Sequence, residues 1–298
     1  MLKQFEVFIV AMIFVLITAI ILIIYTVERG QEFKNHQSII QKAAVHGAAY
    51  AIKLQLANKH RHLRLFLNEY ERLVIHLINS PMDEKTANDI KARLEQRFSD
   101  FFTYTVTNTK GVPVLFDFDE LVGNACQHDL NTFFKTVLKK KTALNNVFVH
   151  PQPYHYHYDI MAPLQIKGAG MHIFFASFYL KDVTDILRTH EIPGQNLILV
   201  KQSELSLIEV TKQGARDKLS TREPRLSKEE QQSIRVYENI PDTDWRLINL
   251  PDVAFEKQYL QSLWKEAAII IFIVTLALLL LIFISAQYLG RKNQGAWK

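Results

Sequence analysis

The chain of 298 residues has a single cysteine, Cys126, so no disulfide bond can form within it. Its folded part must therefore be held together by a hydrophobic core. The formal net charge is +5, and lysine and arginine are spread along the sequence without a long basic run. This distribution argues against nucleic acid as a partner.

Signatures of common enzymes are also absent. The sequence contains no HExxH, no G-x-S-x-G and no phosphate-binding loop, which are spacings used by metalloproteases, serine hydrolases and nucleotide-binding enzymes. We therefore expect no catalytic activity, no catalytic residues and no cofactor.

Two long stretches lack ionisable residues. Val7 to Ile24 contains one mildly polar residue, Thr18, and Ala267 to Ala286 contains only Thr275 and Ser285. At ~1.5 Å per residue, a helix of either stretch spans the ~30 Å hydrocarbon core of a bilayer. A cleaved signal peptide is the alternative for the first stretch. Its apolar run is longer than the usual ~7–15 residues, and "YTVERGQEF" offers no small-x-small cleavage site, so we expect an uncleaved anchor.

Basic residues near these two stretches predict their orientation. The segment 287–298 carries Arg291, Lys292 and Lys298 without an acidic residue, and Lys3 precedes the first stretch. Because short cytoplasmic segments are enriched in lysine and arginine, we expect both termini in the cytoplasm. Roughly 240 residues, enough for one or two cores, would then lie on the outer side of a membrane that the chain crosses twice.

The region between the two stretches has a helical first part. Glu28 to Asn79 has no proline and only two glycines, Gly30 and Gly47, and its apolar positions recur at helical spacing. This predicts a helix of about fifty residues, broken at most once and continuous with the first membrane helix. A shorter helix follows, for which Ser80 before Pro81 is the expected cap.

The remaining sequence alternates between strands and short helices. "FFTYTVTNTKGVPVLFDF" predicts a hairpin from Phe101 to Phe118, and "DLNTFFKTVLKK" a helix capped by Asp129. Two further strands, in "NNVFVHPQPYHYHYDIMAPL" and "GMHIFFASFYL", precede the helix "DVTDILRTH". A smaller unit has strands in "QNLILVKQ", "LSLIEVTKQG", "SIRVYENI" and "DWRLINLP", and a short helix at "SKEEQQ". Trp245 is expected in the core of this unit, and Glu209 is expected to pair with Arg216 around a turn.

The predicted fold class is α+β, with two transmembrane helices flanking an extracytoplasmic body of two antiparallel-sheet modules. The segments are a cytoplasmic N-terminus (1–6), transmembrane helix 1 (7–25), a stalk helix with its connecting helix (26–97), a membrane-distal module (98–190), a membrane-proximal module (191–266), transmembrane helix 2 (267–286) and a basic cytoplasmic tail (287–298).

This order resembles the double Cache, PAS-like sensor regions of bacterial transmembrane receptors and diguanylate cyclases. The resemblance rests on "VTNTKGVPVLFDF", "YHYHYDIMAPL", "HIFFASFYLKDVTDIL", "LSLIEVTKQGARDKL" and "IPDTDWRLINLP". It implies a periplasmic receptor that binds a small molecule between the distal sheet and its loops, acts as a homodimer and shifts its stalk helices. The segment 287–298 carries no GGDEF, EAL, kinase or methylation sequence, so the signal is expected to pass to a separate cytoplasmic partner or to a natural continuation of the chain.

The stretch "HPQPYHYHYD" is the candidate binding strand. Side chains of a strand alternate between its faces, so His155, His157 and Asp159 are expected on one face, and the three tyrosines between and beside them on the other. The predicted ligand-binding residues are His150, Tyr154, His155, Tyr156, His157, Tyr158, Asp159 and Ser177.

Three interpretations of this strand remain open. It could form the wall of a small-molecule pocket, a structural strand of polar aromatic residues, or part of a zinc or copper site. A metal site would need further ligands, for which His150, His172 and His128 are candidates. Cys126 could pair with His128 as nucleophile and base, or it could be a buried thiol. The amino-acid-binding arginine of related receptors has no counterpart in this stretch, so that specificity is not transferred.

Three functions compete accordingly. The first is a ligand-binding receptor module, the second a non-catalytic scaffold or partner subunit of a membrane complex, and the third a metal-dependent periplasmic enzyme built on the histidines. A closed polar cavity beside Tyr154 to Asp159 would favour the first. A solid sheet face with a large apolar patch elsewhere would favour the second, and three or more converging imidazoles or carboxylates would favour the third.

Overall fold

A computed structural model describes residues 2–115, 118–139, 147, 149–150, 155–166, 170–219 and 222–295. The chain divides into two compact units, of which the first combines Met1–Ile40 with Asp252–Lys298 and the second is Gln41–Pro251.

The first unit consists of two long helices. Helix α1 is Leu2–Glu69, of which only the first part belongs to this unit, and helix α7 is Val253–Gly295. Within the unit, the ring of Phe33 stacks on that of Tyr259 with 3.9 Å between centroids. The most apolar stretch of 18 residues has a mean hydropathy of 3.1 in α1 and 3.4 in α7. Of these stretches, 0% is buried in α1 and 6% in α7. Both helices are long and apolar enough to cross a membrane.

The second unit begins with the rest of α1 and two shorter helices, α2 (Glu71–Asn79) and α3 (Glu84–Arg97). The predicted long helix is confirmed, with its one break at Tyr70. The predicted cap of the next helix is wrong. The cap is Asp83, whose carboxylate accepts a hydrogen bond from the backbone N–H of Thr86, whereas Ser80 ends α2 by donating its N–H to the carbonyl of His76.

The first sheet has the strands β1 (Phe101–Val106), β2 (Val149–His150), β3 (His157–Ile166) and β4 (Gly170–Tyr179), in the antiparallel order β1-β4-β3-β2. The predicted hairpin after β1 is only partly present. Its turn is there, with Gly111 at a φ of 80°, but among the described residues its return limb is limited to a bridge between Thr107 and Pro113.

Helix α4 (Phe118–Leu138) covers one face of this sheet. The predicted start at Asp129 is wrong, because helical residues precede it. The helix is interrupted at Gly123, whose φ of 70° and ψ of −177° are not helical. Four side chains of α4, one or two turns apart, point to the sheet and pack on Met161, Ile173 and Phe175. They are Cys126, Leu130, Phe133 and Phe134. We refer to this side of the first sheet as the α4 face.

The opposite side of the first sheet packs on α1 and is called the α1 face. Ile52, Leu63 and Phe66 of α1 are fully buried in one core with Tyr158, Ile160 and Phe178 of the sheet. The rings of Phe66 and Phe174 lie 6.1 Å apart between centroids. The first sheet is therefore covered on both sides by helices.

The smaller sheet follows helix α5 (Lys181–His190). Its strands are β5 (Gln195–Lys201), β6 (Glu204–Thr211), β7 (Gly214–Ala215), β8 (Val236–Asn239) and β9 (Trp245–Pro251), in the antiparallel order β7-β6-β5-β9-β8. Helix α6 (Lys228–Ser233) begins with a capping box of Ser227 and Glu230. The strands and the helix predicted here are confirmed. Trp245 is buried, as predicted, and its ring lies 5.8 Å from that of Tyr158. The fold is α+β with two antiparallel sheets.

Candidate functional site

The alternation of β3 separates its side chains between the two faces of the first sheet. His157 and Asp159 point to the α4 face, whereas Tyr158 and Ile160 between and beside them pack in the core of the α1 face. His157 is 0% exposed and Asp159 is 6% exposed. Two ionisable side chains thus lie buried on a face that is otherwise mostly apolar.

Four other polar side chains meet these two on the α4 face. We call the group the polar cluster; it comprises Cys126, Asp129, His150, His157, Asp159 and Ser177. The hydroxyl of Ser177, which is paired with Asp159 in the sheet register, donates a hydrogen bond of 2.7 Å to Asp159 Oδ1. His150 Nε2 lies 3.3 Å from Asp159 Oδ2 and 3.4 Å from Asp129 Oδ2. Helix α4 and strands β2, β3 and β4 therefore all contribute to one site.

The His157 ring has a fixed orientation. Its Nδ1 lies 2.8 Å from the carbonyl oxygen of His155. Because a carbonyl can only accept, Nδ1 carries the proton, and Nε2 of the neutral ring presents its lone pair. That nitrogen lies 3.4 Å from Cys126 Sγ and 3.7 Å from Asp159 Oδ1.

A bulge in β1 supplies the aromatic neighbour of His157. The pairing of β1 with β4 shifts between Phe101 and Thr103, so Phe102 is the additional residue in the strand. Its ring lies 5.2 Å from the His157 ring and 5.0 Å from that of Tyr179. The bulge therefore closes one side of the polar cluster with an apolar ring.

Burial controls the protonation of the polar cluster. It lowers the pKa of His157, although the charge of Asp159 acts in the opposite direction. It raises the pKa of the Asp129 carboxyl against the influence of His150. Burial and the nearby Asp159 carboxylate also raise the pKa of the Cys126 thiol. At neutral pH the His157 imidazole is neutral and the thiol is protonated, so Cys126 lacks the thiolate that a nucleophile needs.

The predicted ligand-binding residues lie in three different places. His150, His157, Asp159 and Ser177 belong to the polar cluster, whereas Tyr158 lies on the α1 face, on the other side of the sheet. His155 precedes β3 and is exposed. With Tyr156 it lines an open groove of about 490 Å³, beside Tyr179, Lys181 and Asp185. Tyr154 lies outside the described residues.

Two residues of the polar cluster were not among the predicted binding residues. Cys126 was considered with His128, but His128 is exposed and Cys126 contacts His157 instead. Asp129 was assigned to a helix cap. The apolar spacing of α4 contained the signal that could have placed both residues near the sheet. The other candidate ligand, His172, donates a hydrogen bond of 2.8 Å from Nδ1 to the carbonyl of Thr107. It lies at the end of β4 that is distant from Ser177.

Comparison with known proteins addresses the fold. No protein-family model matches the chain, and no curated protein matches it. The sensor domain of the V. cholerae histidine kinase DctB is similar in structure, with a TM-score of 0.50 and 10% sequence identity over 73% of this chain and 98% of that domain. This chain has the Cache-type sensor fold.

Two ligand-binding domains of chemoreceptors are also similar to this chain. The domain of Pseudomonas aeruginosa PAO1 PctC in complex with GABA is 14% identical, with 73% of this chain and 99% of that one covered and a TM-score of 0.45. The domain of PctB from the same organism, in complex with L-Gln, is 15% identical, with 76% and 97% covered and a TM-score of 0.44. The predicted resemblance to Cache sensor regions is confirmed for the fold.

Proposed function

We propose that the chain is a ligand-sensing receptor module, anchored in the bacterial inner membrane by α1 and α7, with its Cache-type body in the periplasm. A small ligand binds at the polar cluster on the α4 face, and the helices carry the response across the membrane. The polar cluster is the observation on which this proposal rests. A buried group of two imidazoles, two carboxylates, a thiol and a hydroxyl adds less stability than apolar packing would, and such groups are typical of ligand sites.

Strand β3 provides a physical route from the ligand to the membrane. A ligand that moves Asp159 also moves Tyr158 and Ile160, which are its neighbours in sequence and pack in the same core as α1. A displacement on the α4 face is therefore transferred to the helix on the other side of the sheet. Two arrangements of this contact, with different affinities for the ligand, are sufficient for a switch.

The membrane assignment is supported by the exposed apolar surface of α1 and α7. Large side chains such as Phe14, Ile21, Phe272 and Leu280 are about half exposed or more. A bilayer would cover such a surface on two long helices, and water would not. The functional unit that we propose is a homodimer that passes its signal to a separate cytoplasmic partner.

The module is proposed to be non-catalytic. Cys126, His157 and Asp159 are residue types found in cysteine hydrolases, but here the order of contacts differs. The carboxylate does not hold Nδ1 of the histidine, which donates to a backbone carbonyl, and the thiol is 0% exposed. This order of contacts is not that of a thiol activated as a nucleophile by a histidine and a carboxylate.

Ligand screening of the full chain in lipid nanodiscs tests the proposal. Thermal unfolding would be followed with organic acids, amines, amino acids and divalent metals, because a ligand at 100 times its Kd adds about 2.7 kcal/mol to stability. We expect at least one compound to raise the unfolding temperature of the wild type and not of Asp159→Asn. The matched control is Asp185→Asn, which removes an exposed carboxylate from the open groove.

Each of the other outcomes contradicts the proposed site. A ligand lost in Asp185→Asn and retained in Asp159→Asn would place binding in the open groove. If no compound has an effect, the alternative is a scaffold subunit of a membrane complex. The observation that favours this second candidate is the α4 packing, in which apolar side chains fill part of the α4 face.

A further inference from the structure

Three donor atoms of different chemistry converge in the polar cluster. Cys126 Sγ, His157 Nε2 and a carboxylate oxygen of Asp159 all lie within 4.8 Å of one another, and all three residues are buried. The distance from Sγ to Nε2 is 3.4 Å and that from Nε2 to Asp159 Oδ1 is 3.7 Å. These residues come from α4 and β3, so the fold brings them together.

These separations are similar to the edges of a tetrahedral metal site. Zinc binds sulfur at about 2.3 Å and nitrogen or oxygen at about 2.0–2.2 Å, so its ligand atoms are roughly 3.3–3.6 Å apart. The Sγ–Nε2 and Nε2–Oδ1 separations of the polar cluster are close to these edges, and the third separation, between Sγ and the carboxylate oxygen, is at most 4.8 Å.

The surroundings of the donors orient them as metal ligands. The proton of His157 is on Nδ1, held by the His155 carbonyl at 2.8 Å, which directs the lone pair of Nε2 towards Cys126 and Asp159. The hydroxyl of Ser177 donates to Asp159 at 2.7 Å, and His150 faces the other oxygen of this carboxylate at 3.3 Å. A histidine that donates its second nitrogen to a carbonyl, and a carboxylate held by neighbouring donors, are the usual outer contacts of metal ligands.

Charge and softness favour a transition metal over a hard cation. A thiolate and a carboxylate together carry two negative charges, which a divalent ion neutralises, so the occupied site has no net charge to bury. Thiolate and imidazole ligands select zinc or copper, whereas magnesium and calcium prefer sites made of oxygen atoms.

We propose that Cys126, His157 and Asp159 form a binding site for a divalent transition metal, represented by Zn²⁺, and that this ion is the ligand of the sensor module. The inference rests on the proposed function and assigns a chemical class to its ligand. On binding, the Cys126 S–H bond is replaced by a bond from sulfur to the metal, and the proton leaves to solvent. His150 and Ser177 are positioning residues that hold Asp159.

The test uses the full chain in nanodiscs, first stripped of metal by a chelator. We expect the wild type to bind one equivalent of Zn²⁺ by isothermal titration calorimetry. Cys126→Ser and His157→Ala should each weaken this affinity at least 100-fold. The matched control is His62→Ala, which removes an exposed histidine of α1 that lies outside the polar cluster. It should change the affinity less than threefold.

Spectroscopy of the wild type keeps the test independent of whether the variants fold. The Co²⁺-loaded chain should show thiolate-to-cobalt charge-transfer absorption, and X-ray absorption of the Zn²⁺-loaded chain should show one sulfur neighbour at about 2.3 Å. Zinc binding without a sulfur neighbour, or with the affinity of Cys126→Ser equal to that of the wild type, would assign the zinc to surface histidines and overturn the inference.

The two proposals fail in distinguishable ways. If an organic compound stabilises the chain through Asp159 while Zn²⁺ does not bind, the sensor function stands and the metal inference is wrong. If neither Zn²⁺ nor any compound binds, both are wrong.

Discussion

Neighbouring residues of β3 have different roles because they point to opposite faces of one sheet. The alternation of side chains along a strand, which is a property of the sequence, correctly separated His157 and Asp159 from Tyr158. It could not show that His155 lies before the strand. That boundary depends on the partner strand, since the pairing of β3 with β4 begins at His157 and Tyr179. Residue chemistry was therefore predictable, whereas the limits of the site were not.

Glu209 gives a pH-dependent prediction at the scale of the residue. It is 2% exposed, and burial raises its pKa from 4.5 to about 7, although Arg216 lies 3.7 Å away, the pair predicted from the sequence. Because the pKa is higher in the folded state, this carboxyl stabilises the fold most below pH 4.5, and that contribution is lost as the pH rises to 7. The loss amounts to about 3 kcal/mol.

Glu209→Gln keeps the shape of the side chain and removes its charge. We expect the free energy of unfolding of the variant, relative to the wild type, to rise by up to about 3 kcal/mol between pH 4.5 and 7.5. Denaturant unfolding of the full chain in detergent at several pH values measures this difference. The control is Glu204→Gln on the same strand, where the exposed carboxylate has a lowered pKa through its hydrogen bond to Arg225 and should show no such rise. A pH-independent difference for Glu209→Gln would contradict the prediction.

A buried ion cluster connects helix α1 to the residues that flank the first sheet. Lys59 is 5% exposed, forms an ion pair with Asp100 and lies 3.0 Å from Asp182. Its ammonium also lies 4.8 Å from the centre of the Phe178 ring. The Asp100 carboxyl is 2% exposed, and burial raises its pKa although Lys59 opposes the change. Desolvation of the charges and their mutual attraction therefore oppose each other in this cluster. Removal of either charged partner should lower the free energy of unfolding.

Removal of the Lys59 charge is predicted to destabilise the second unit. Lys59→Met leaves the Asp100 carboxyl buried without its cation, which should lower the free energy of unfolding by about 3–5 kcal/mol. The double variant Lys59→Met with Asp100→Asn should recover part of this loss, with a coupling energy of about 1–3 kcal/mol. Thermal unfolding of the full chain provides the measurement, and exposed Lys53→Met is the matched control. Strictly additive effects would show that the pair contributes no mutual stabilisation.

The helices and strands were largely predictable as elements, and their ends were not. The long apolar periodicity before Asn79 required a helix, and the alternating stretches required strands. Asp129 was misplaced as a cap because an acidic residue before an apolar run resembles a helix start. The residues before it are also helical, and the interruption at Gly123, whose φ and ψ are not helical, lies well before Asp129. The sequence at this point is compatible with two start positions of the helix, one at Asp129 and one earlier. Packing against the sheet decides between them.

For the whole molecule, the sequence predicts the topology in the membrane, and the prediction can be tested directly. Protease added to spheroplasts of a Gram-negative host should cleave the body formed by residues 41–251, because this body is proposed to face the periplasm. In inverted membrane vesicles it should be protected, while an epitope tag after Lys298 should be removed. Immunoblotting with an antibody to the body reads both results. Protection in intact spheroplasts would reverse the proposed orientation and exclude a periplasmic receptor.

The order of the strands could not be obtained from the sequence alone. The order β1-β4-β3-β2 pairs the first strand of this sheet with its last, and this pairing depends on contacts distant in the chain. The likeness to the DctB sensor domain at 10% identity shows that the same arrangement arises from very different residues.

The complete burial of Cys126 has a practical consequence for studies of assembly. Since the only native thiol is 0% exposed, a reporter cysteine placed on the surface would be the one side chain that aqueous maleimides reach. Paired spin labels at a single engineered position would then read the separation between two copies in a bilayer, with every native residue of the core left in place.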